Sequence, residues 1–238
     1  MSNVVYIGKD LEAMSFALNY HRWIFEEMRP FLGRHIVEVG AGTGSFSELL
    51  AAHRPSSLSL IEPSGMYEQL IKNTATWKTD ADIVCYKHVF TEIAAELERS
   101  RAPDSILYVN VLEHISDDQA ELTAMYRTLR KGGRILIFVP ALPRLYGAFD
   151  RRVGHFRRYT KADLENKCLT AGFKLLKSRY FDFAGVVPWW VKYRLLQSDS
   201  LESGAVRLYD KFVVPVTKTL ESMIMPPIGK NVLVIAEK

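Results

Sequence analysis

The chain has 238 residues, of which 48% are hydrophobic and 24% charged, and its formal net charge is +4. This composition excludes a disordered chain, and the length allows a large core without disulfides or metal ions. The mild positive charge permits an anionic partner but does not by itself indicate nucleic acid.

The cysteines and the N-terminal residues bear on the compartment. The two cysteines, Cys85 and Cys168, both lie in apolar patterns, which predicts small buried thiols and neither a disulfide nor a zinc site. We expect no metal ion in the functional site. No apolar stretch approaches the ~20 residues of a membrane span, and residues 1–10 lack a charged-then-apolar leader pattern. A cytoplasmic protein is therefore expected.

The first predicted element is a helix over residues 11–31 with a broad apolar face, closed by Pro30 and Gly33. Tyr20 and Trp23 lie about one turn apart in it. Trp23 is expected to pack on a sheet. Tyr20 either does the same or faces a ligand from a helix that covers the pocket.

The chain is organised around residues 35–50. A short apolar strand leads into Gly40, Gly42 and Gly44, and a helix carrying Phe46 and Leu50 follows. Glycines at alternate positions suit a backbone that bends sharply and leaves room for a ligand. The following helix directs free N–H groups and a positive dipole end toward that ligand. This pattern is typical of a nucleotide-binding loop.

A second strand over 57–63 ends in Glu62, which lies 22 positions after Gly40. In doubly wound nucleotide-binding folds, an acid about 20 residues beyond the glycine loop accepts hydrogen bonds from ribose hydroxyls. We therefore predict that Glu62 binds a ribose.

Strands and helices alternate through the next part of the chain. We predict a helix over 64–77, strands over 83–86, 104–110 and 134–139, and a helix opened by a capping box of Ser116 and Gln119. This alternation indicates a parallel sheet with helices on both faces, whose ligands bind at the carboxyl ends of the strands. The glycine loop, Glu62, His88 and residues 110–114 should therefore surround one pocket.

The last third of the chain has a different character. Residues 140–159 are predicted as a long loop at the mouth of the sheet, which usually indicates a functional role. A helix capped by Thr160 and Asp163 follows, then a strand over 172–181 and a final strand over 231–236. Between these strands, residues 182–228 form an insertion rich in aromatic residues and prolines.

Residues 38–44, with Glu62 behind them, resemble the class I S-adenosylmethionine-dependent methyltransferases. Residues 109–115 resemble the fourth-strand motif of that family, and residues 129–134 its turn into the fifth strand. Residues 150–159 and 229–231 are similar to the type 11/12 methyltransferases of small-molecule and lipid pathways. The resemblance implies a Rossmann-like, doubly wound α/β sheet of seven strands with a helical and aromatic insertion before the last strand.

The resemblance also implies a domain organisation and a cofactor. The whole chain, 1–238, would be one methyltransferase domain. Residues 1–33 would form a helical cover, 34–181 the cofactor-binding sheet, 182–228 a lid for the acceptor and 229–238 the final strand. The cofactor would be S-adenosylmethionine, with S-adenosylhomocysteine as its product.

The implied cofactor site has four parts. Glu38 and the loop backbone would hold the methionine portion, and Glu62 the ribose. Met66 and the turn at 88–90 would flank the adenine, without the acid that many relatives have near position 88. Asn110 and His114 would line the methyl side. The implied cofactor-binding residues are Tyr20, Glu38, Gly40, Ala41, Gly42, Gly44, Glu62, Pro63, Met66, His88, Val89, Asn110, Val111 and His114.

A base is needed only if the acceptor's nucleophile arrives protonated. The candidates are His155, His114, Tyr146 and Tyr159. His155 comes first, since a histidine titrates near neutral pH and this one lies in a loop of Arg and Tyr residues. Alternatively, His155 only anchors that loop.

Several further residues are candidates for contact with the acceptor. Arg157 and Arg158 would either clamp an anionic acceptor or hold the loop by pairing with Asp150. Tyr146 and Trp189 are candidate acceptor contacts, and the pair Trp189-Trp190 is also compatible with a peripheral membrane interface. The sequence gives no indication of the oligomeric state.

We therefore expect methylation of an oxygen, nitrogen or carbon on a small molecule, such as a secondary metabolite or a lipid-linked compound. An NAD(P) enzyme is disfavoured because the dinucleotide fingerprint G-x-G-x-x-G places its third glycine at position 45, where this chain has Ser45, and the third glycine comes early, at Gly44. The alternatives are an RNA or DNA methyltransferase and a non-catalytic binding protein of the same fold. The Asn-Val-Leu-Glu motif lacks the Pro-Pro-aromatic platform of base-amine methyltransferases, and an intact glycine loop argues against a non-catalytic protein.

Overall fold

The structure is a computed structural model, and it describes residues 17–200 and 202–238. The seven strands are β1 His35–Val39, β2 Ser57–Ile61, β3 Asp82–Tyr86, β4 Ser105–Val109, β5 Arg134–Pro140, β6 Lys174–Phe181 and β7 Asn231–Glu237. The helices are α1 Leu18–Met28, α2 Ser47–Ala52, α3 Tyr67–Thr74, α4 Phe90–Arg101, α5 Asp118–Thr128, α6 Ala148–Arg152, α7 Lys161–Thr170, α8 Val186–Trp189, α9 Ser203–Leu208 and α10 Val214–Met223.

All seven strands form one sheet in the order β3-β2-β1-β4-β5-β7-β6. The first five are parallel to their neighbours, whereas β7 runs antiparallel to both β5 and β6. The central strands are apolar and buried along their length because helices cover both faces. The predicted doubly wound α/β fold is confirmed.

The strand register aligns the carboxyl ends of the parallel strands. Val39 of β1 pairs with Ile61 of β2 on one side and with Tyr108 of β4 on the other. Ile61 in turn pairs with Tyr86 of β3. The residues that follow these strands therefore meet at one edge of the sheet, as the alternation of elements predicts.

Two apolar cores lie on the two faces of the sheet. On one face, α4, α5 and α7 pack against the strands through residues such as Phe90, Leu122 and Leu164. On the other, α1 and α2 contribute Trp23, Ile24 and Leu50. Trp23 is 1% exposed and stacks on Phe181 at 3.8 Å between ring centroids, which confirms its predicted packing on the sheet.

Helix α4 was not predicted, because its few buried residues, Phe90, Ile93 and Leu97, are separated by charged ones. The predicted capping box of Ser116 and Gln119 is wrong. Asp117 caps α5 instead, and its carboxylate accepts the Ala120 N–H at 3.0 Å. The predicted Thr160 cap of α7 is confirmed.

Residues 140–159 are more ordered than a long loop. They contain a 3-10 turn at Pro143–Leu145 and helix α6. A bridge between Ala141 and Tyr159 closes the segment at its base. The predicted helix over 11–31 appears as α1 followed by a 3-10 turn at Arg29–Phe31, and its first part, 11–16, lies outside the described residues.

The insertion contains the short helices α8, α9 and α10. A π-helical segment at Trp190–Leu195 continues α8, and another at Tyr209–Val213 joins α9 to α10. Throughout residues 17–200 and 202–238, no helix is long and apolar enough to cross a membrane. The two cysteines are free thiols: Cys168 is buried as predicted, whereas Cys85 is only partly so.

Candidate active site

The glycine loop follows β1 and bends back on its neighbours. Gly40, Gly42 and Gly44 have φ values of +71°, +57° and +92°, a region that side chains strongly disfavour. The Gly40 N–H donates to the Ile61 carbonyl at 2.8 Å. A Cβ on Gly40 would lie 2.4 Å from Cγ2 of Val111. Glycine is therefore required there both by the backbone conformation and by the close approach of the segment after β4.

Glu62 ties the end of β2 to the glycine loop. Its Oε2 accepts the N–H of Gly42 at 2.8 Å, and its Oε1 accepts the N–H of Ser64 at 2.8 Å. The side chain is only 3% exposed. These two bonds hold both carboxylate oxygens at the edge of the sheet, where the sequence predicts a ribose site.

Glu38, the penultimate residue of β1, is buried without matching hydrogen bonds. Among the residues that the structure describes, Oε2 of Glu38 has no hydrogen-bond partner. Burial, together with the nearby charge of Glu62 and against an opposing contribution from Ser47, raises the pKa of Glu38 from 4.5 to about 8. A buried carboxyl in this state is suited to a cationic ligand that would stabilise its ionised form.

The segment after β4 brings a second group of polar residues to the same edge. Asn110 takes a positive φ of +55°, and its N–H donates to the Phe138 carbonyl at 2.7 Å. A 3-10 turn at Leu112–His114 follows directly. Val111, which packs on Gly40, immediately precedes this turn, and Glu113 and His114 lie within it.

His155 of the 140–159 segment lies against this turn. Its Nδ1 is 2.8 Å from Oδ1 of Asp150, and its Nε2 is 3.8 Å from Oε1 of Glu113. The His155 and His114 rings meet edge to face at 4.6 Å between centroids. The structure therefore brings the two predicted catalytic histidines together.

Asp150 fixes the orientation of His155. Burial would raise the pKa of Asp150, but hydrogen bonding by His155 and the charge of Arg158 outweigh it and lower the pKa. The ionised carboxylate can only accept, so Nδ1 of His155 carries a proton in this contact, and in the neutral ring Nε2 is the acceptor. Arg158 Nε also donates to Asp150, at 2.8 Å.

Glu113 and His114 are both disfavoured in their charged forms. Burial, partly offset by His155, raises the pKa of Glu113 from 4.5 to about 7. Burial and the neighbouring His155 lower the pKa of His114 to about 3, against a hydrogen bond with the Gly154 backbone. His114 is therefore neutral near pH 7.

The two arginines predicted to contact the acceptor both contact protein groups. Arg158 is 4% exposed and bonds Asp150 and the Ala141 carbonyl. Arg157 pairs with Asp118 at 2.8 Å and donates to the Ser116 carbonyl. These contacts favour the alternative in which both residues hold the loop.

Two further predicted residues sit at the base of the 140–159 segment. Tyr159 is fully buried, and its hydroxyl donates to Asp118 at 2.8 Å. Burial and the Asp118 charge also raise its pKa, so the structure contradicts a role for Tyr159 as base. The Tyr146 hydroxyl donates to the His155 carbonyl at 2.8 Å, which places Tyr146 beside the candidate base.

The remaining predicted residues lie around the same edge. The Tyr20 hydroxyl donates to Asn231 at 3.0 Å within the aromatic core, so Tyr20 packs on the sheet near β7. His88 and Val89 are exposed after β3, and His88 pairs with Glu92 at 3.2 Å. Ala41 is buried in the glycine loop, Met66 is half-buried and Pro63 is exposed.

Glu113 was not predicted as a functional residue. Its position in the fourth-strand motif, next to His114, is the one feature of the sequence that indicates a role in the site. Its complete burial depends on how the 3-10 turn packs beneath His155, which residue spacing does not show.

The fold and this edge together define the class I S-adenosylmethionine-dependent methyltransferases. The chain belongs to that family, because a family model described as a methyltransferase domain matches residues 17–178. Among curated proteins, none matches this sequence significantly.

Three solved structures illustrate the likeness. A SAM-dependent methyltransferase from Archaeoglobus fulgidus is 17% identical, with a TM-score of 0.60 over 92% of this chain and 94% of that one. The cyclopropane synthase MmaA2 from Mycobacterium tuberculosis is 14% identical, with a TM-score of 0.62 over 90% and 82%. The N-methyltransferase NodS from Bradyrhizobium japonicum, solved with S-adenosylhomocysteine, is 14% identical, with a TM-score of 0.58 over 94% and 87%. At these identities the likeness concerns the fold.

The chain is thus an S-adenosylmethionine-dependent methyltransferase, and its residues fit that cofactor. The glycine loop leaves backbone N–H groups beside Glu62, which holds two acceptor oxygens at the ribose position. Glu38 is a buried acid suited to an ammonium group. Both features match the charges and hydroxyls of the cofactor.

Cofactor binding is expected to release a proton below about pH 8. The methionine portion carries an ammonium group, which favours ionised Glu38, whereas free Glu38 is protonated there. Affinity for S-adenosylhomocysteine should therefore rise as the pH increases from 6 to 8, by up to about tenfold per pH unit. Calorimetry in buffers of different ionisation enthalpy measures the released proton.

The matched variant Glu38→Gln should bind more weakly and release no proton. Equal proton release in that variant would assign the proton to another group.

The raised pKa of Glu38 also determines how the stability of the folded protein depends on pH. Because the pKa of Glu38 is raised on folding, stability of the cofactor-free protein should fall as the pH rises from 4.5 to about 8.

Proposed function

We propose that this enzyme methylates a small-molecule acceptor in the cytoplasm and that the acceptor's nucleophile arrives protonated. The observation that carries the proposal is the cluster of Glu113, His114 and His155, with His155 held by Asp150. A methyltransferase whose nucleophile is already deprotonated has no need of such a cluster.

The cofactor supplies an activated methyl group on a sulfonium. In this proposal Glu38 and the loop backbone bind its methionine portion, Glu62 binds the ribose hydroxyls, and Met66, His88 and Val89 flank the adenine. The remaining work of the protein is to position the acceptor in line with the methyl–sulfur bond and to exclude water.

His155 is the proposed base. Asp150 accepts from Nδ1–H, so in the neutral ring Nε2 is the nitrogen that would take the acceptor's proton. The side chain is 10% exposed. In the absence of direct contact with a substrate, Asp150 is a positioning residue.

The proposed acceptor lid is the insertion over 182–228. Trp189 packs edge to face on Phe149 at 5.3 Å and lies 4.3 Å from Tyr193 between centroids. Among the described residues, the buried Nε1 of Trp189 has no hydrogen-bond partner. We therefore propose that Trp189 and Tyr146 contact the acceptor. The indole N–H of Trp189 would donate a hydrogen bond to an oxygen of the acceptor.

The acceptor class is tested by following labelled methyl groups. The enzyme is incubated with methyl-labelled S-adenosylmethionine and an extract separated into small molecules, lipids, nucleic acids and proteins. Label in the small-molecule or lipid fraction that depends on His155 is the expected result. Label that stays in a nuclease-sensitive fraction would favour the nucleic-acid alternative, which also requires steeply salt-dependent binding.

We further propose that the insertion contacts an anionic membrane surface. Large apolar side chains are exposed from α8 to the residues just after α10. They include Val187, Leu196, Leu208, Met223, Ile224 and Met225. The last three are 72–77% exposed. Exposed cations stand among them, such as Arg194 and Lys211. Apolar side chains flanked by basic ones are typical of helices that lie in a membrane interface.

Replacing Met223, Ile224 and Met225 together by serine is expected to reduce binding to vesicles at least tenfold, because three deeply exposed apolar contacts are lost. Flotation with vesicles of phosphatidylcholine and 30% phosphatidylglycerol measures the effect. The matched control replaces Leu169 and Ile71, which are exposed elsewhere, and should bind like the wild type. Wild-type protein that does not float would contradict membrane contact.

A further inference from the structure

We propose that Glu113, His114 and His155 bind a divalent transition-metal ion. One ligand atom from each residue lies within 4.8 Å of the others. The three residues come from two segments, the turn after β4 and the segment after β5, which meet at the edge that holds the glycine loop. This inference replaces the sequence-based expectation of a site without metal.

The unpaired, buried carboxyl of Glu113 is the observation that indicates a bound ligand. It is fully buried, and neither Oε1 nor Oε2 has a hydrogen-bond partner within the described part of the chain. Burying a carboxyl without partners is costly. Its Oε1 faces Nε2 of His155 at 3.8 Å. Bonds of ~2.0 Å place two ligands of a tetrahedral ion about 3.3 Å apart, so the two atoms need to approach each other by roughly 0.5 Å to share an ion.

Each histidine has one ring position held by the protein. Asp150 binds Nδ1 of His155 at 2.8 Å and thereby turns Nε2 toward Glu113. His114 is hydrogen-bonded to the backbone of Gly154. Histidines that bind metals usually donate their second nitrogen to a carboxylate or carbonyl in this way. The histidines are thus already arranged as ligands.

The donor atoms of the cluster suit a transition-metal cation. Asp150 pairs with Arg158, which lies 2.8 Å away, and the same guanidinium is near enough to Glu113 to favour its ionised form. Two imidazoles and one carboxylate favour Zn²⁺, Mn²⁺, Fe²⁺ or Co²⁺ over Mg²⁺ or Ca²⁺. Three protein ligands also leave coordination positions open, as in catalytic metal sites.

The turn that supplies Glu113 also contacts the cofactor loop, because Val111, which packs on Gly40, is separated from Glu113 by one residue. An acceptor oxygen would occupy an open coordination position of the ion. This last step rests on the proposed function and revises it in one respect, because Nε2 of His155 bound to an ion cannot also accept the acceptor's proton. Metal binding itself does not rest on the proposed function.

Metal binding is tested on the full chain without any acceptor. Metal-stripped protein is titrated with Co²⁺ and followed by its visible absorption, and with Zn²⁺ by calorimetry. One ion per chain is the expected stoichiometry, with Co²⁺ bands in the visible range. Glu113→Gln and His155→Ala should each weaken binding at least 100-fold, and Asp150→Asn about 10- to 100-fold.

The matched control is His53→Ala, because His53 caps the C-terminal end of α2 outside the cluster and should bind metal like the wild type. Binding of S-adenosylhomocysteine and circular dichroism verify that each variant is folded. Wild-type protein that binds no ion, or equal binding in Glu113→Gln and His155→Ala, would overturn the proposal. One ion per chain without methyl transfer to small molecules would instead overturn the proposed function alone.

Discussion

His155→Ala is expected to lower the rate of methyl transfer by about 10²- to 10⁴-fold, while affinity for S-adenosylhomocysteine changes by less than about twofold. The reason lies in the contacts of His155, whose ring nitrogens face Asp150 and Glu113, whereas the residues proposed to bind the cofactor are Glu38, Glu62 and the glycine loop. As base or as metal ligand, it acts on the acceptor and not on the cofactor.

Single-turnover rates and calorimetry of S-adenosylhomocysteine measure the two effects separately. The matched control is Phe156→Ala, which removes an adjacent exposed side chain but keeps the backbone bond of residue 156 to the Glu113 carbonyl. Unchanged turnover in His155→Ala would remove this residue from the mechanism and leave it as an anchor of its segment.

Glu62→Gln is expected to weaken cofactor binding by about 10- to 100-fold. Both carboxylate oxygens accept backbone N–H groups at 2.8 Å, and hydrogen bonds to a charged group contribute roughly 1.5–3 kcal/mol each. The glutamine side chain would present its NH₂ group to one of these two backbone N–H groups. The variant therefore loses one hydrogen bond and places two donors against each other. The ribose hydroxyls would lose the same acceptor.

Calorimetry of S-adenosylhomocysteine binding tests this prediction. Glu68→Gln is the matched control, because Glu68 is exposed on α3 and pairs with Lys87 at the surface. Wild-type affinity in Glu62→Gln would show that the bonds of Glu62 serve only the loop and would move the ribose site elsewhere.

The cofactor side of the site could be predicted from the sequence because its signals are local. The bend at Gly40 and Gly44 requires a backbone conformation that few other residues adopt, and the acid at Glu62 stands at a fixed distance along the chain. The alternation of apolar strands and helices likewise indicates the parallel sheet. Each of these features is determined by residues close together in sequence.

The acceptor side depends on contacts between distant segments. Asp150 binds His155 and Arg158, and Glu113 lies beneath His155 because the 140–159 segment folds over the turn after β4. Patterns of residue type do not reveal which carboxylate becomes buried. Tyr159 illustrates the same difficulty, because its sequence context suggested a base and its packing against Asp118 buries it.

The antiparallel strand β7 has a consequence for how this enzyme could change over evolution. Phe181, at the end of β6, pairs with Asn231, at the start of β7, so the insertion leaves and re-enters the sheet at neighbouring positions. The two ends stay close together whatever the insertion contains, and the entropic cost of closing a longer flexible insertion grows slowly with its length. Whole acceptor lids could therefore be exchanged between enzymes of this fold, while the strands that carry the cofactor loop stay unaltered.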